Sequence, residues 1–151
     1  NYLYYHLAGC FAKEHSCDEA LILNADGTIS ETNTASIISV SADERTVTIP
    51  KSDYSLPSVT LSAALKIFAQ NGYKVLQRDI TLSEFVLMPN ILLLNSLMGA
   101  VKVILIDGNK ILQESLSMPL LLASEDKGYD SLIGLNPSDQ ICGWLNNELL
   151  R

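Results

Sequence analysis

The sequence is poor in the residues that announce most chemistries. Of its 151 residues only 3 are cysteine, 2 histidine and 1 tryptophan. Cys10, Cys17 and Cys142 form no CxxC pair. Cys10 and Cys17, at i and i+7, fall on one face of a predicted helix. An odd number of cysteines so spaced points to reduced, mostly buried thiols in a cytoplasmic protein, not to a disulfide framework. His6 and His15 do not share a helical face, which argues against a metal site. A Cys–His nucleophile lacks an evident third group to orient it. Basic residues are scarce as well: 10 against 17 acidic, a net charge of −7 with a pI near 4.6. Such a balance disfavours binding to a nucleic-acid backbone. The longest apolar stretches, 91–94 and 118–123, fall far short of the roughly 20 residues that cross a bilayer. The start, Asn1-Tyr-Leu-Tyr-Tyr-His, has no basic segment followed by an apolar run, so no secretory signal is read there. It also has no Met, as expected of a fragment or a processed product. There is no phosphate-binding P-loop, no Rossmann glycine signature and no G-x-S-x-G.

What remains is apolar. Hydrophobic residues make up 48 % and charged residues 18 %, and the mean hydropathy is +0.21. This length suits one domain with its own core. Leu3, Leu7, Cys10 and Phe11 recur at helical spacing, which predicts a helix from Tyr2 to about His15. Residues 18–24 and 28–31 read as strands joined by a turn at Gly27. Residues 35–40 and 46–50 read as two more, joined by a turn at 42–45. Ser58 to Gln70 reads as a helix stopped by Asn71-Gly72. Further strands are expected at 73–80, 91–94 and 101–106, and Thr81-Leu-Ser-Glu84 has the form of a capping box. A turn at Asp107-Gly108 leads into 110–113, and 125–134 reads as a loop. A last helix is capped at Asn136-Pro137-Ser138, with Ile141, Leu145 and Leu149 on one stripe and Trp144 near it. Helices and hairpins interleave without repeat or linker, so the expectation is a single α+β domain over 1–151.

Three places could hold an anion or a charged ring. Ser58-Val59-Thr60 opens a helix, where free N–H groups make either an ordinary cap or a phosphate cradle. Asn95-Ser96 follows an apolar strand and is either a plain turn or a polar rim. Glu31 sits in a segment rich in Ser and Thr, as a solvated carboxylate or a site acid.

The order of these pieces along the chain resembles the fold-type IV family of pyridoxal-phosphate enzymes, with its branched-chain aminotransferases, D-amino-acid aminotransferases and aminodeoxychorismate lyases. The resemblance runs through Asn1-Tyr2-Leu3, residues 18–24, Asp26-Gly27, residues 30–37, Leu56-Pro57-Ser58-Val59-Thr60 and Asn95-Ser-Leu-Met-Gly99, ending near Asp107-Gly108. It implies the larger C-terminal domain of the D-amino-acid aminotransferase-like fold. It also implies pyridoxal 5'-phosphate as cofactor, a small-molecule substrate, a homodimer, and an N-terminal domain outside this chain. Glu31 would meet the pyridine nitrogen and Tyr2 the ring oxygen. The N–H groups of Val59 and Thr60, with the Thr60 hydroxyl, would hold the phosphate; Ser96 would add a hydroxyl, and Asn95 would shape the loop. No catalytic residue is assigned in this chain, because the Schiff-base lysine is expected shortly before Asn1.

Asn95-Ser-Leu-Met-Gly99 is more similar to the lyase branch. That implies cleavage of 4-amino-4-deoxychorismate to 4-aminobenzoate and pyruvate in folate synthesis, with a branched-chain or D-amino-acid aminotransferase as the alternative. Ser58, Leu61, Ser36 and Lys102 stand where the family usually has Gly, Arg, Asn and Pro. These departures motivate a third reading, a non-catalytic binding module. On the resemblance, the high hydropathy is apolar surface meant for the N-terminal domain and a second subunit.

Overall fold

The structure is a computed structural model that describes residues 2–103, 105–106, 109–110, 145 and 149. Helix α1 (Tyr2–Glu14) precedes a hairpin of β1 (Leu21–Leu23) and β2 (Ile29–Thr32). Strands β3 (Ser36–Ser41) and β4 (Thr46–Pro50) follow, then helix α2 (Val59–Gln70) and β5 (Lys74–Arg78). A short α3 (Leu82–Phe85) leads to β6 (Ile91–Asn95) and β7 (Gly99–Lys102), with β8 (Leu105–Ile106) and β9 (Asn109–Lys110) beyond them. The main sheet has the order β5-β4-β3-β6-β7. All its pairings are antiparallel except β4 with β5, which α2 connects as a crossover.

Alternation across the sheet sorts the core into two layers. Successive side chains of a strand point to opposite faces. Ile37 pairs with Leu93 and Ile38 with Leu92. Ile37, Ile91 and Leu93 accordingly pack with Ile29, Ile80, Phe85 and Met88 on one face. Ile38, Val40, Leu92 and Leu94 pack with Val47, Ala64, Phe68 and Leu145 on the other. A strand covered on both faces has no polar side to show, so Ile91-Leu-Leu-Leu reads as an unbroken apolar run.

Local signals in the sequence have their expected outcomes. Gly27 adopts φ +82° in the β1–β2 turn, where Asp26 Oδ1 accepts from the Thr28 N–H and hydroxyl. Beyond α2, Tyr73 N donates to Phe68 O and Gly72 N to Ala69 O, both at 3.0 Å. Gly72 has φ +80°. These bonds form a Schellman stop, with the Phe68 and Tyr73 rings packed edge to face behind it. Thr81 caps α3 by accepting from Glu84 N. The capping box is half made, because the Glu84 carboxylate turns instead to Arg78, at 2.5 Å. Leu145 is helical and buried against α2's layer, and Leu149 packs beside it. Cys142, the 107–108 turn, 111–113, the 125–134 loop, and the cap, Ile141 and Trp144 of the last helix lie outside the described residues.

Three features differ from the sequence expectation. The run at 101–106 is not one strand: β7 ends at Lys102 and β8 begins at Leu105. Val103, past the end of β7, still donates to Ile91 O, in register with the Leu92–Lys102 pair, and buries its side chain beside Ile91. Cys17 lies past the end of α1, so it shares no helical face with Cys10; both are reduced and only partly buried. The apolar stripe of α1 faces outward as well. Leu3, Leu7 and Phe11 are 56–60 % exposed, and only Ala12 is buried.

Candidate cofactor site

The site is built around one buried carboxylate. All four residues of β2 are buried, and Glu31, opposite Ile22, is 6 % exposed. A carboxylate out of water requires donors. Glu31 Oε1 takes two: the Tyr5 hydroxyl at 2.5 Å and the Leu56 N–H at 3.0 Å. Oε2 has no hydrogen-bond partner among the described residues. Burial first, and then the Glu31 carboxylate, push the Tyr5 phenol up to about 12. It therefore stays a donor at any working pH.

Glu31 leads into a tight turn. Thr32 Oγ1 accepts from Ala35 N at 2.9 Å and donates to Ala35 O at 3.1 Å. Glu19 braces the same turn by accepting from the Thr34 N–H and hydroxyl. Burial raises the Glu19 carboxyl, against the lowering effect of its bonds to Thr34 and Thr32. Its neighbour Asp18 has a buried Oδ2 without a hydrogen-bond partner among the described residues. Burial, and then the Glu19 charge, push Asp18 up to about 6.

Leu56 sits two residues before the N-cap of α2. Ser58 is extended there (φ −108°, ψ 120°), and its hydroxyl accepts from Leu61 N. That conformation suits any residue, so the usual glycine is not required. With Leu61 N capped and Ser62 N bonded to Ser58 O, the N–H groups of Val59 and Thr60 have no partner among the described residues. They form the positive end of a 12-residue helix. Leu61 packs on the core beneath α2, so the position usually held by Arg serves packing here.

The third piece is the β6–β7 turn. Asn95 Oδ1 accepts from Leu97 N at 2.9 Å and Met98 N at 2.8 Å, and Gly99 completes the turn with φ +70°. Asn95 Nδ2 reaches the Thr34 carbonyl at 3.5 Å, so this turn leans on the turn that follows Glu31. Ser96 is exposed on it. Ser36, at the start of β3, and Lys102, opposite Leu92 in β7, are both buried.

Glu31, the approach to Val59 and Thr60, and the Asn95 turn are thus joined through hydrogen bonds. Tyr2 is not joined to them: it is 85 % exposed and stacks on His6. Tyr5, one helical turn further along the same face, is the tyrosine that meets Glu31. Its i, i+3 spacing from Tyr2 was the available signal. Among the described residues no group of three or more His, Cys, Asp or Glu could hold a metal, and no helix is long and apolar enough to cross a membrane.

The family model Amino-transferase class IV matches residues 1–106. The branched-chain-amino-acid aminotransferase-like protein 2 of Arabidopsis thaliana is 34 % identical over 79 residues, which are 52 % of this chain and 14 % of that protein. A fold IV-transaminase from Curtobacterium pusillum superposes with a TM-score of 0.73 at 20 % identity, covering 99 % of this chain and 42 % of that one. The branched-chain amino acid aminotransferase from Escherichia coli gives 0.67 at 22 %, covering 73 % and 37 %. The chain therefore spans about two-fifths of these solved chains and a smaller share of the curated relative. At these identities the solved structures establish the shared fold.

Proposed function

The chain belongs to the class IV aminotransferase family, and from that premise we propose that it forms the pyridoxal-phosphate-holding part of an enzyme that remakes bonds at the α-carbon of an amino substrate. The observation that carries this reading is the buried Glu31 carboxylate, with Oε1 satisfied and Oε2 open, hydrogen-bonded to the loop that opens α2. The donor set fits the cofactor: an acid suits a pyridine nitrogen, and free N–H groups at a helix start suit a phosphate.

When bound, the cofactor supplies an electron sink for charge developing at the substrate α-carbon. Glu31 Oε2 would hold the proton on the ring nitrogen. The N–H groups of Val59 and Thr60, with the Thr60 hydroxyl, would grip the phosphate. Ser96 would add its hydroxyl, Asn95 would hold the turn that carries it, and Tyr2 would donate to the ring oxygen. The lysine that anchors the cofactor, and further substrate contacts, would come from an N-terminal domain. A second copy would complete a cytoplasmic homodimer.

Amino transfer from a branched-chain amino acid is the reaction the named relatives support, with a D-amino acid as the alternative donor that the sequence resemblance implies. The second reading is lyase cleavage of 4-amino-4-deoxychorismate to 4-aminobenzoate and pyruvate. It is favoured by the resemblance of Asn95-Ser-Leu-Met-Gly99 to the lyase branch. The test uses the full-length protein that contains this chain, titrated with pyridoxal phosphate and followed by visible absorbance. It is then assayed for amino transfer to 2-oxoglutarate and for pyruvate release from aminodeoxychorismate. Absence of cofactor uptake would overturn the enzyme reading in favour of a binding module. Uptake with pyruvate release alone would select the lyase.

A further inference from the structure

Tyr5 carries no role in the reading above, yet it makes the shortest contact to the carboxylate at the centre of the site. Its hydroxyl donates to Glu31 Oε1 at 2.5 Å and lies 3.4 Å from the Tyr54 carbonyl. The Leu56 N–H reaches the same Oε1 at 3.0 Å. One oxygen of Glu31 thus receives a donor from α1 and a donor from the 51–58 loop, and the other oxygen receives neither.

We infer that Tyr5 is a positioning residue, whose hydroxyl, with the Leu56 N–H, pins Oε1 of Glu31 so that Oε2 is presented to the ring nitrogen of the cofactor. The inference rests on the reading that Glu31 meets that nitrogen. A glutamate side chain has three rotatable torsions. Left loose, it would lose that freedom on each binding event; pinned at one oxygen, it has already lost it. Two donors on Oε1 also fix the carboxylate plane, and with it the direction in which Oε2 accepts. Because the phenol is pushed up to about 12, it remains a donor and never becomes a second anion beside the carboxylate. Through Glu31 Oε1, which also accepts from the Leu56 N–H, the same hydroxyl ties α1 to the loop leading into the start of α2. It therefore links the part of the site that would face the ring to the part that would face the phosphate.

The test compares Tyr5→Phe and Glu31→Gln with the natural sequence in the full-length protein. Pyridoxal phosphate labelled with 15N in the ring serves as probe, and thermal unfolding of the cofactor-free protein is followed in parallel. Tyr5→Phe removes only the hydroxyl. It is expected to raise the cofactor Kd about tenfold, the worth of a charge-assisted hydrogen bond. It should also move the bound 15N resonance in the direction taken by Glu31→Gln. A purely structural role would lower the unfolding midpoint and leave the resonance in place, which overturns the inference. Unchanged Kd and resonance in Tyr5→Phe, with both changed in Glu31→Gln, overturn the role of Tyr5 and leave the reading of Glu31 standing. An unchanged resonance in Glu31→Gln overturns both. Should Tyr5→Phe fail to fold, 3-fluorotyrosine at position 5 keeps the ring and hydroxyl while strengthening the donor. The resonance must then move, and an unmoved resonance overturns the inference.

Discussion

Leu56 donates its backbone N–H to the Glu31 carboxylate at 3.0 Å, across 25 residues of sequence. This bond fastens the loop before α2 to the end of β2. In Glu31→Ala both the Leu56 N–H and the Tyr5 hydroxyl lose their acceptor in a part-buried place. Unfolding free energy should fall by about 2–3 kcal/mol, whereas Glu31→Gln, which keeps an acceptor oxygen, should cost about 1 kcal/mol. Urea denaturation of the two variants checks the order; equal losses would show that the oxygen does not hold the loop.

Ser58 should be replaceable by the glycine its family usually has. Ser58→Ala removes the cap on Leu61 N and should cost about 1 kcal/mol, while Ser58→Gly should cost only a few tenths. Denaturation midpoints separate the two. A glycine variant as damaged as the alanine variant would contradict the capping account.

Asn95 holds its turn with one oxygen and two N–H groups. In Asn95→Ala the amides of Leu97 and Met98 should exchange with solvent roughly fivefold faster, the equivalent of about 1 kcal/mol of lost hydrogen bonding. Asn95→Asp keeps the acceptor and should retain most of the protection. Site-resolved hydrogen exchange is the measurement.

Asp18 makes stability depend on pH in an unusual direction. Its carboxyl rises from 3.8 to about 6 on folding, so between those values the folded state binds more protons than the unfolded one. Stability should therefore fall as pH rises from about 4 to 6. Asp18 is partly exposed, and after discounting for solvent screening the loss is about 1 kcal/mol. Asp18→Asn should remove this component and be more stable than the natural sequence at pH 7. Denaturation curves at pH 4, 5, 6 and 7 show it. A natural protein whose stability relative to the Asn variant does not change with pH would refute it.

Much of the fold was legible because its signals are local. The Asn71-Gly72 stop, the Asp26-Gly27 turn and the Thr81 cap each act within a few residues through φ preference or a short side-chain bond. The core strands carry β-branched and apolar runs that a two-faced sheet explains. The break at Val103 was not legible. An apolar run continues through it, and β6 begins at Ile91, the residue opposite Val103, so the partner strand that would extend the pairing ends there. The candidate site was legible as separate pieces: an acid, a helix start and a turn. Tyr5 was missed because its partner lies 26 residues away; its i, i+3 spacing puts it on the face of Tyr2 without showing which of the two reaches Glu31.

By itself the sequence determined the local elements, their caps and stops, and the residue types from which an anion and ring site could be assembled. These depend on torsional preference and hydrophobic period, which act over one or two turns of chain. Only the tertiary structure decided which tyrosine meets Glu31, that the Asn95 turn leans on Thr34, and that the apolar stripe of α1 faces outward. Those outcomes depend on which surfaces distant segments bury together. They are resolved by burial and by the need of each buried polar atom for a partner, neither of which is written in any short stretch of the chain.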